Sequence, residues 1–327
     1  MSGYDIIGDV HGMATLLEER LTSLGYRADS GVYSHPERTA VFVGDLVDRG
    51  GEQLRTLELV KAMVDAGSAQ IVMGNHEFNA IAYSIEHPAG SGRFLRPHTE
   101  KNERQHRAFL NQLSAAEQQF YIEWFKTLPL WLDLDGLRVV HACWHAPSMD
   151  VVTEALGGNQ FQTLSQIVAA NDKGSALYTA VEILLKGPEM DLTTRGLPRY
   201  LDSEKHPRAQ ARIRWWHEDA TRFKDLAELS NYRSESGEPY PDVEDFEPTA
   251  TELSYSYNED IPVFYGHYWR QSPPEHQLDW TSHTACVDFS AVRGGTLVAY
   301  RFSGESEIRL EHYVPHTADI VAQQASN

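Results

Sequence analysis

The stretch Val43-Gly44-Asp45-Leu46-Val47-Asp48-Arg49-Gly50 narrows what this chain can fold into more than any other. The residues before it, Thr39 to Val43, are β-branched and apolar, as a buried strand requires. From Glu52 to Ala66, Leu54, Leu57, Leu59, Val60 and Met63 recur at helical spacing. Asp45 therefore falls on the loop leaving the carboxyl end of a strand, where open α/β sheets place their ligands. Gly44 and Gly50 remove side-chain bulk on either side of that carboxylate and let backbone and ligand approach.

The same order of strand, polar loop and helix occurs twice more. Tyr4 to Ile7 leads into Gly8-Asp9-Val10-His11-Gly12, and Ala69 to Met73 leads into Gly74-Asn75-His76-Glu77. Three such units within the first 80 or so residues predict a parallel sheet with right-handed crossovers, which sets the three loops side by side. Later, Leu130-Trp131-Leu132 and Leu137-Arg138-Val139-Val140 flank an Asp135-Gly136 turn, a hairpin that delivers His141 at a strand end. Ile261 to Tyr265 runs into Gly266-His267, and the β-rich end continues through Thr284–Asp288, Thr296–Arg301 and Ile308–Tyr313. Between these blocks, 87–128 and 146–260 read as insertions. The second carries a helix at Ser175–Lys186 and a mixed Arg212-Ile213-Arg214-Trp215-Trp216 segment, and it is expected to cap the site as a helical insertion. The predicted fold is one α/β domain over 1–317, a four-layer α/β/β/α sandwich of two mixed sheets flanked by helices, followed by a flexible tail at 318–327.

Polar residues at the strand ends form one set: Asp9, His11, Asp45, Asn75, His76, His141 and His267. Mixed carboxylate, amide and imidazole donors suit divalent ions such as Mn²⁺, Fe²⁺ or Zn²⁺. One carboxylate can hold two ions ~3.5–4 Å apart, as two-metal hydrolytic sites require. Asp45, central in the series, is the natural bridge. Asp9 and His11 would complete one ion, and Asn75, His141 and His267 the other. With 28 basic against 47 acidic residues, the net charge of −19 disfavours long nucleic acids and anionic membranes as partners. Cys143 and Cys286 are the only cysteines and no apolar run approaches the ~20 residues of a membrane span, so the expected location is the cytoplasm.

Gly-Asp-Val-His-Gly at 8–12, Gly-Asp-Leu-Val-Asp-Arg-Gly at 44–50 and Gly-Asn-His-Glu at 74–77 closely resemble the three signatures of calcineurin-like metallophosphoesterases of the phosphoprotein-phosphatase branch. That branch includes bacterial serine/threonine phosphatases and symmetrical diadenosine tetraphosphate hydrolases. Val140-His141-Ala142, Gly266-His267 and Val287-Asp288 before Gly294-Gly295 match its later landmarks, although Phe289-Ser290-Ala291 stands where the family often has Thr-Gly-Cys. The resemblance implies two divalent ions, Mn²⁺ foremost with Fe, Zn, Ni or Mg as alternatives, and a metal-bridging hydroxide that attacks phosphorus in line. His76 would be the general acid, Asp48 its orienting carboxylate, and Arg49 a fork for phosphoryl oxygens.

The family usually adds a second phosphate-binding arginine from later in the fold. Here Arg214 is the first candidate and Arg195 the second, in a region similar to the phosphatase domain of bacterial polynucleotide kinase-phosphatases. The implied substrates are a phosphorylated protein or a small nucleotide such as a diadenosine polyphosphate. Trp215, Trp216 or Trp269 near the site would favour the nucleotide, because aromatic faces stack bases. An RNA or nucleotide phosphodiesterase-phosphatase, and a non-catalytic binding module that keeps the fold, are the alternative readings.

Overall fold

The computed structural model describes residues 3–29, 31–202, 205–229, 232–243, 246–270 and 273–315. The chain divides into two compact units, Met1–Lys186 with Asp260–Asn327, and Gly187–Glu259. The expected tail at 318–327 lies outside the described residues.

In the larger unit the main elements follow in order. They are β1 (Gly3–Ile7), α1 (Ala14–Ser23), β2 (Arg38–Phe42), α2 (Gln53–Asp65), β3 (Ala69–Ile71), α3 (Asn75–Ser84), α4 (Glu100–Gln112) and α5 (Ala115–Phe125). Then come β4 (Trp131–Leu134), β5 (Leu137–Val140), α6 (Ala146–Leu156), α7 (Leu164–Ala170), α8 (Ala176–Lys186), β6 (Val263–Tyr265), β7 (Thr284–Cys286), β8 (Ala299–Phe302) and β9 (Tyr313–Val314). The first sheet has the order β9-β8-β1-β2-β3, the second β7-β6-β5-β4. β1, β2 and β3 are parallel, with Ile7 opposite Phe42 and Phe42 opposite Ile71, so their carboxyl ends fall level. β5, β6 and β7 are parallel as well, while β8 pairs antiparallel with β1 and with the edge strand β9, and β4 pairs antiparallel with β5.

Two-residue alternation explains why the sheets stack. Ile6, Val41, Tyr300 and Tyr313 of the first sheet share one buried cluster with Leu137, Val139, Phe264 and Ala285 of the second. The Phe264 ring reaches across to Tyr300 at 4.8 Å and Phe302 at 6.0 Å. The helices α1 and α2 bury Leu17 and Leu21, and Leu57, Val60 and Met63, the stripes their spacing predicts.

The 146–260 segment is of two kinds. Its first part is helical and belongs to the larger unit. Gly157, at φ 76°, ends α6, and the Thr163 hydroxyl caps α7 by accepting from Gln166 N–H. Helical spacing in this part was not read from the sequence, apart from α8. Among the described residues the second part, the smaller unit, consists of short strands, one 3-10 turn at Thr193–Arg195 and two four-residue helices, so the expected helical insertion is mainly helical only up to Lys186. Met190, Leu192, Tyr200, Ile213, Phe223 and Leu226 give this unit its own core.

Phe264→Ala should leave a cavity between the sheets and lower the unfolding free energy by ~3–5 kcal/mol in urea titration, with little change in far-ultraviolet dichroism.

Candidate metal centre

The carboxyl ends of β1, β2, β3, β5 and β6 each lead into a polar loop, and these loops come together around Asp45. Gly44 and Gly74 make the approach close enough. A Cβ on Gly74 would lie 2.3 Å from Asp45 Oδ1, and one on Gly266 would lie 2.1 Å from Asp9 Oδ1. Asp45 Oδ2 is 3.7 Å from His11 Nε2 and 3.8 Å from His76 Nε2, and Oδ1 is 3.5 Å from His141 Nε2. Asn75 Oδ1 faces His141 Nε2 at 3.1 Å and His267 Nδ1 at 2.8 Å. The His267 amide donates to Asp9 Oδ2 at 3.2 Å. All the sequence-predicted ligands therefore converge, with ligand atoms of Asp45, His141 and His267 within 4.8 Å of one another, as are those of His11, Asp45 and His76.

The imidazoles are oriented by their outer nitrogens. His11 Nδ1 donates to the Val47 carbonyl at 2.8 Å and His141 Nδ1 to the Val43 carbonyl at 2.7 Å, which turns both Nε2 lone pairs inward. Burial and the neighbouring His76 push His11 down to about 3, so it is a neutral donor. Burial, together with the charges of Asp288 and Asp45, holds the Asp9 carboxyl well above its usual range. Burial also acts on Asp45, but the surrounding His141, His76 and His11 outweigh it and keep it ionised. Asp9 Oδ1 and His11 Nε2 are buried without a hydrogen-bond partner. Buried lone-pair atoms without partners, on residues of this chemistry, fit a divalent cation.

Beside this cluster, His76 Nδ1 donates to Asp48 Oδ2 at 2.6 Å. Burial alone would lower the His76 pKa, but Asp45 and the bond to Asp48 outweigh it and raise the value above that of free imidazole. The other oxygen of Asp48 accepts from His106 Nδ1 at 2.7 Å, from the buried face of α4. Against burial, these two imidazoles hold Asp48 well below the ordinary carboxylate range. The sequence reading missed His106. Its only local signal is the i, i+3 spacing with buried Phe109. Glu77 was noticed only as part of a motif, yet its carboxylate accepts from the backbone N–H groups of Asp45, Leu46 and Gly74 at 2.8–3.0 Å and ties the second and third loops together.

Arg49 reaches the site with its guanidinium carbon 4.0 Å from the centroid of the Trp269 indole, and Trp269 lies beside His11 with ring centroids 5.4 Å apart. Arg214 and Arg195 belong to the smaller unit. There Arg214 donates to the Lys224 carbonyl at 2.7 Å, and Arg195 pairs with Glu252 at 2.6 Å. Trp215 and Trp216 are fully buried, packed edge to face, and offer no face to a base. Cys143 is buried, and burial pushes its thiol up, which suits an inert core residue.

Glu77→Ala would strand three buried backbone donors at ~1–3 kcal/mol each. Calorimetric melting should register a loss of ~3 kcal/mol or more, and Glu77→Gln, which keeps an acceptor oxygen, should lose less.

Comparison with known proteins accords with this geometry. Residues 4–268 match the family model described as calcineurin-like phosphoesterase. The asymmetrical bis(5'-nucleosyl)-tetraphosphatase PrpE of Geobacillus sp. (strain WCH70) is 33% identical over 139 residues, which are 42% of this chain and 55% of that protein. The protein of the same description from Halalkalibacterium halodurans is 46% identical over 83 residues, 25% of this chain and 34% of its own. The chain spans about half the length of the curated relatives it matches. A remote structural likeness links it to a protein serine/threonine phosphatase from Saccharomyces cerevisiae, with TM-score 0.46 and 13% identity over 95% of this chain and 78% of that one. Because the family match takes in every strand-end residue from Asp9 to His267, the chain belongs to the calcineurin-like phosphoesterase family.

Proposed function

We propose that the chain hydrolyses phosphoric esters or anhydrides with the aid of two divalent ions, within the phosphoprotein-phosphatase branch of its family. The observation that carries this reading is the Asp45 carboxylate, whose two oxygens face imidazoles on different sides while an Asp48-anchored histidine stands next to it. Asp9, His11 and Asp45 would hold one ion, and Asp45, Asn75, His141 and His267 the other. When bound, the pair would lower the pKa of a shared water toward ~7 and neutralise charge on the phosphoryl oxygens. Mn²⁺ is the first choice for both positions, given the mixed oxygen and nitrogen donors.

His76 serves as the general acid. With Nδ1 committed to Asp48, its Nε2–H is left to protonate the leaving oxygen, and a raised pKa keeps the proton there near neutrality. His76 also lies near Asp45, and it is given the acid role because the motif assigns the ligand place to its neighbour Asn75, whose Oδ1 faces His141 and His267. His106 fixes the far oxygen of Asp48 and so positions His76 through it. Arg49 presents its planar fork to the phosphoryl oxygens.

A small nucleotide polyphosphate is the favoured substrate, supported by the activity named for the PrpE relatives, with a phosphoprotein as the alternative class. The net charge of −19 works against long nucleic acid. A non-catalytic binding module would tolerate lesions among the ligands, and all six are intact. Among the described residues no helix is long and apolar enough to cross a membrane. Two buried, free cysteines suit the reducing cytoplasm proposed as its compartment.

Mn²⁺-dependent release of nitrophenol from nitrophenyl phosphate tests the reaction class, and diadenosine tetraphosphate set against a phosphopeptide tests the substrate. No metal-dependent turnover of any of them would overturn the assignment. His76→Ala should keep its metal, measured by plasma mass spectrometry, while turnover of a poor leaving group such as phenyl phosphate drops by ~10²–10⁴. Full activity on phenyl phosphate would refute the acid role. Asp45→Asn should be isolated with little bound metal.

A further inference from the structure

Two arginines, not one, lie over the Trp269 indole. The guanidinium carbon of Arg49 is 4.0 Å from the ring centroid and that of Arg293 is 4.5 Å from it. Arg293 comes from a short turn at Ala291–Arg293 in the C-terminal part of the chain, far in sequence from the loop that carries Arg49. Both side chains are exposed, and the ring between them is half-buried.

One buried carboxylate fixes both supports of this arrangement. Asp288 Oδ2 accepts from the Trp269 amide at 2.7 Å, and Oδ1 accepts from the Ser290 amide at 3.0 Å. The Ser290 carbonyl then accepts from Arg293 N–H at 2.9 Å and Gly295 N–H at 3.1 Å, closing the turn that presents Arg293. Trp269 itself holds a left-handed backbone, φ 56°, two residues after His267, and its ring lies against His11. The indole is thus seated next to the proposed ions.

A guanidinium stacked on an aromatic face is held by cation–π attraction, while its N–H groups stay at the rim for in-plane bonds to an oxyanion. Two such groups over one ring repel each other. Partial burial of the guanidinium and the charge of Arg293 act to lower the Arg49 pKa, while Asp45, Asp48 and Asp288 act to raise it. An anion with oxygens for both forks relieves that repulsion, and a chain of linked phosphates offers more such oxygens than a single phosphoryl group seated on the ions.

We propose that Arg293 acts with Arg49 to grip a phosphoryl group adjacent to the one attacked, so that the site discriminates phosphoanhydrides from simple monoesters. This rests on the phosphohydrolase reading above. The chemical class selected is a chain of linked phosphates, as in a nucleoside polyphosphate, with the phosphate next to the cleaved bond held by Arg293.

The test compares the metal-loaded wild type with Arg293→Ala, Arg293→Gln and Arg293→Lys. For the Ala and Gln variants, kcat/KM on diadenosine tetraphosphate should fall ~10–100-fold, chiefly through KM, against a loss of only a few-fold on nitrophenyl phosphate. Arg293→Lys, which keeps the charge without the fork, should fall between. In parallel, calorimetry measures binding of methylenediphosphonate and of methylphosphonate, probes that need no turnover, and the Ala variant should lose affinity at least tenfold for the first and less than threefold for the second. An active wild type whose variants lose both substrates equally, or neither, overturns the role of Arg293 and leaves the hydrolase reading standing. A wild type that turns over nothing, yet binds methylenediphosphonate in an Arg293-dependent way, overturns the hydrolase reading and leaves the clamp. Absence of both turnover and methylenediphosphonate binding in the wild type overturns both.

Discussion

Five buried carboxylates, Asp9, Asp45, Asp48, Glu77 and Asp288, gather at one end of the two sheets, and the rest of the larger unit is arranged around making that tolerable. An isolated buried charge is costly unless hydrogen bonds or an opposite charge offset it. Three of the five are offset within the protein: Asp48 by two imidazoles, Glu77 by three backbone amides, and Asp288 by the amides of Trp269 and Ser290. Even so, burial and the proximity of Asp45 push Glu77 up to about 7. Asp45 is a fourth, offset by the surrounding His141, His76 and His11 and by the His76 amide, so the remaining imbalance is concentrated on Asp9, one of whose oxygens lacks any partner. That imbalance sits on a residue proposed to bind a cation.

Backbone geometry is stretched in the same place. His11, Asp45, Asp48, Arg49, His267 and Trp269 all hold positive φ, between 47° and 73°. A left-handed conformation costs an ordinary residue roughly 1–2 kcal/mol, and such residues persist only where the surroundings over-determine them. The surroundings here are level strand ends, close glycine contacts and the carboxylate of Glu77. That strain turns side chains which a relaxed loop would point outward toward a common centre.

Much of this was legible in the sequence because the chemistry is local. An Asp two residues before a His after a β-branched run, or an Asn opening a helix, declares its position through strand and helix periodicity alone. What escaped is what depends on distant contacts. His106 reaches Asp48 across 58 residues of sequence, and nothing around it distinguishes a partner from an ordinary core histidine. Arg293, proposed as a phosphate contact, follows a Ser290 turn where the family pattern is interrupted, so the motif gave no guide to it. In contrast, Arg214 drew notice through its aromatic neighbours. Trp215 and Trp216 are aromatic because they fill an interior, which composition cannot tell from a binding face. The helix α7 is short, α6 is as long as α8 but buries fewer of its residues, and their caps at Gly157 and Thr163 were subtler signals than the stripe of α8.

The pairing of Val263 with Arg138 carries a consequence for how the molecule assembles. Every loop from Asp9 to His76 can be in place once the first three strands have met, but His267 arrives only after a parallel crossover that encloses more than a third of the chain. Closing so long a loop adds little to the equilibrium cost, since the penalty grows only with the logarithm of length, yet it slows the search. An emerging polypeptide would thus display half of a cation cage well before it could close the other half, and competence for chemistry would be among the last properties the nascent molecule acquires.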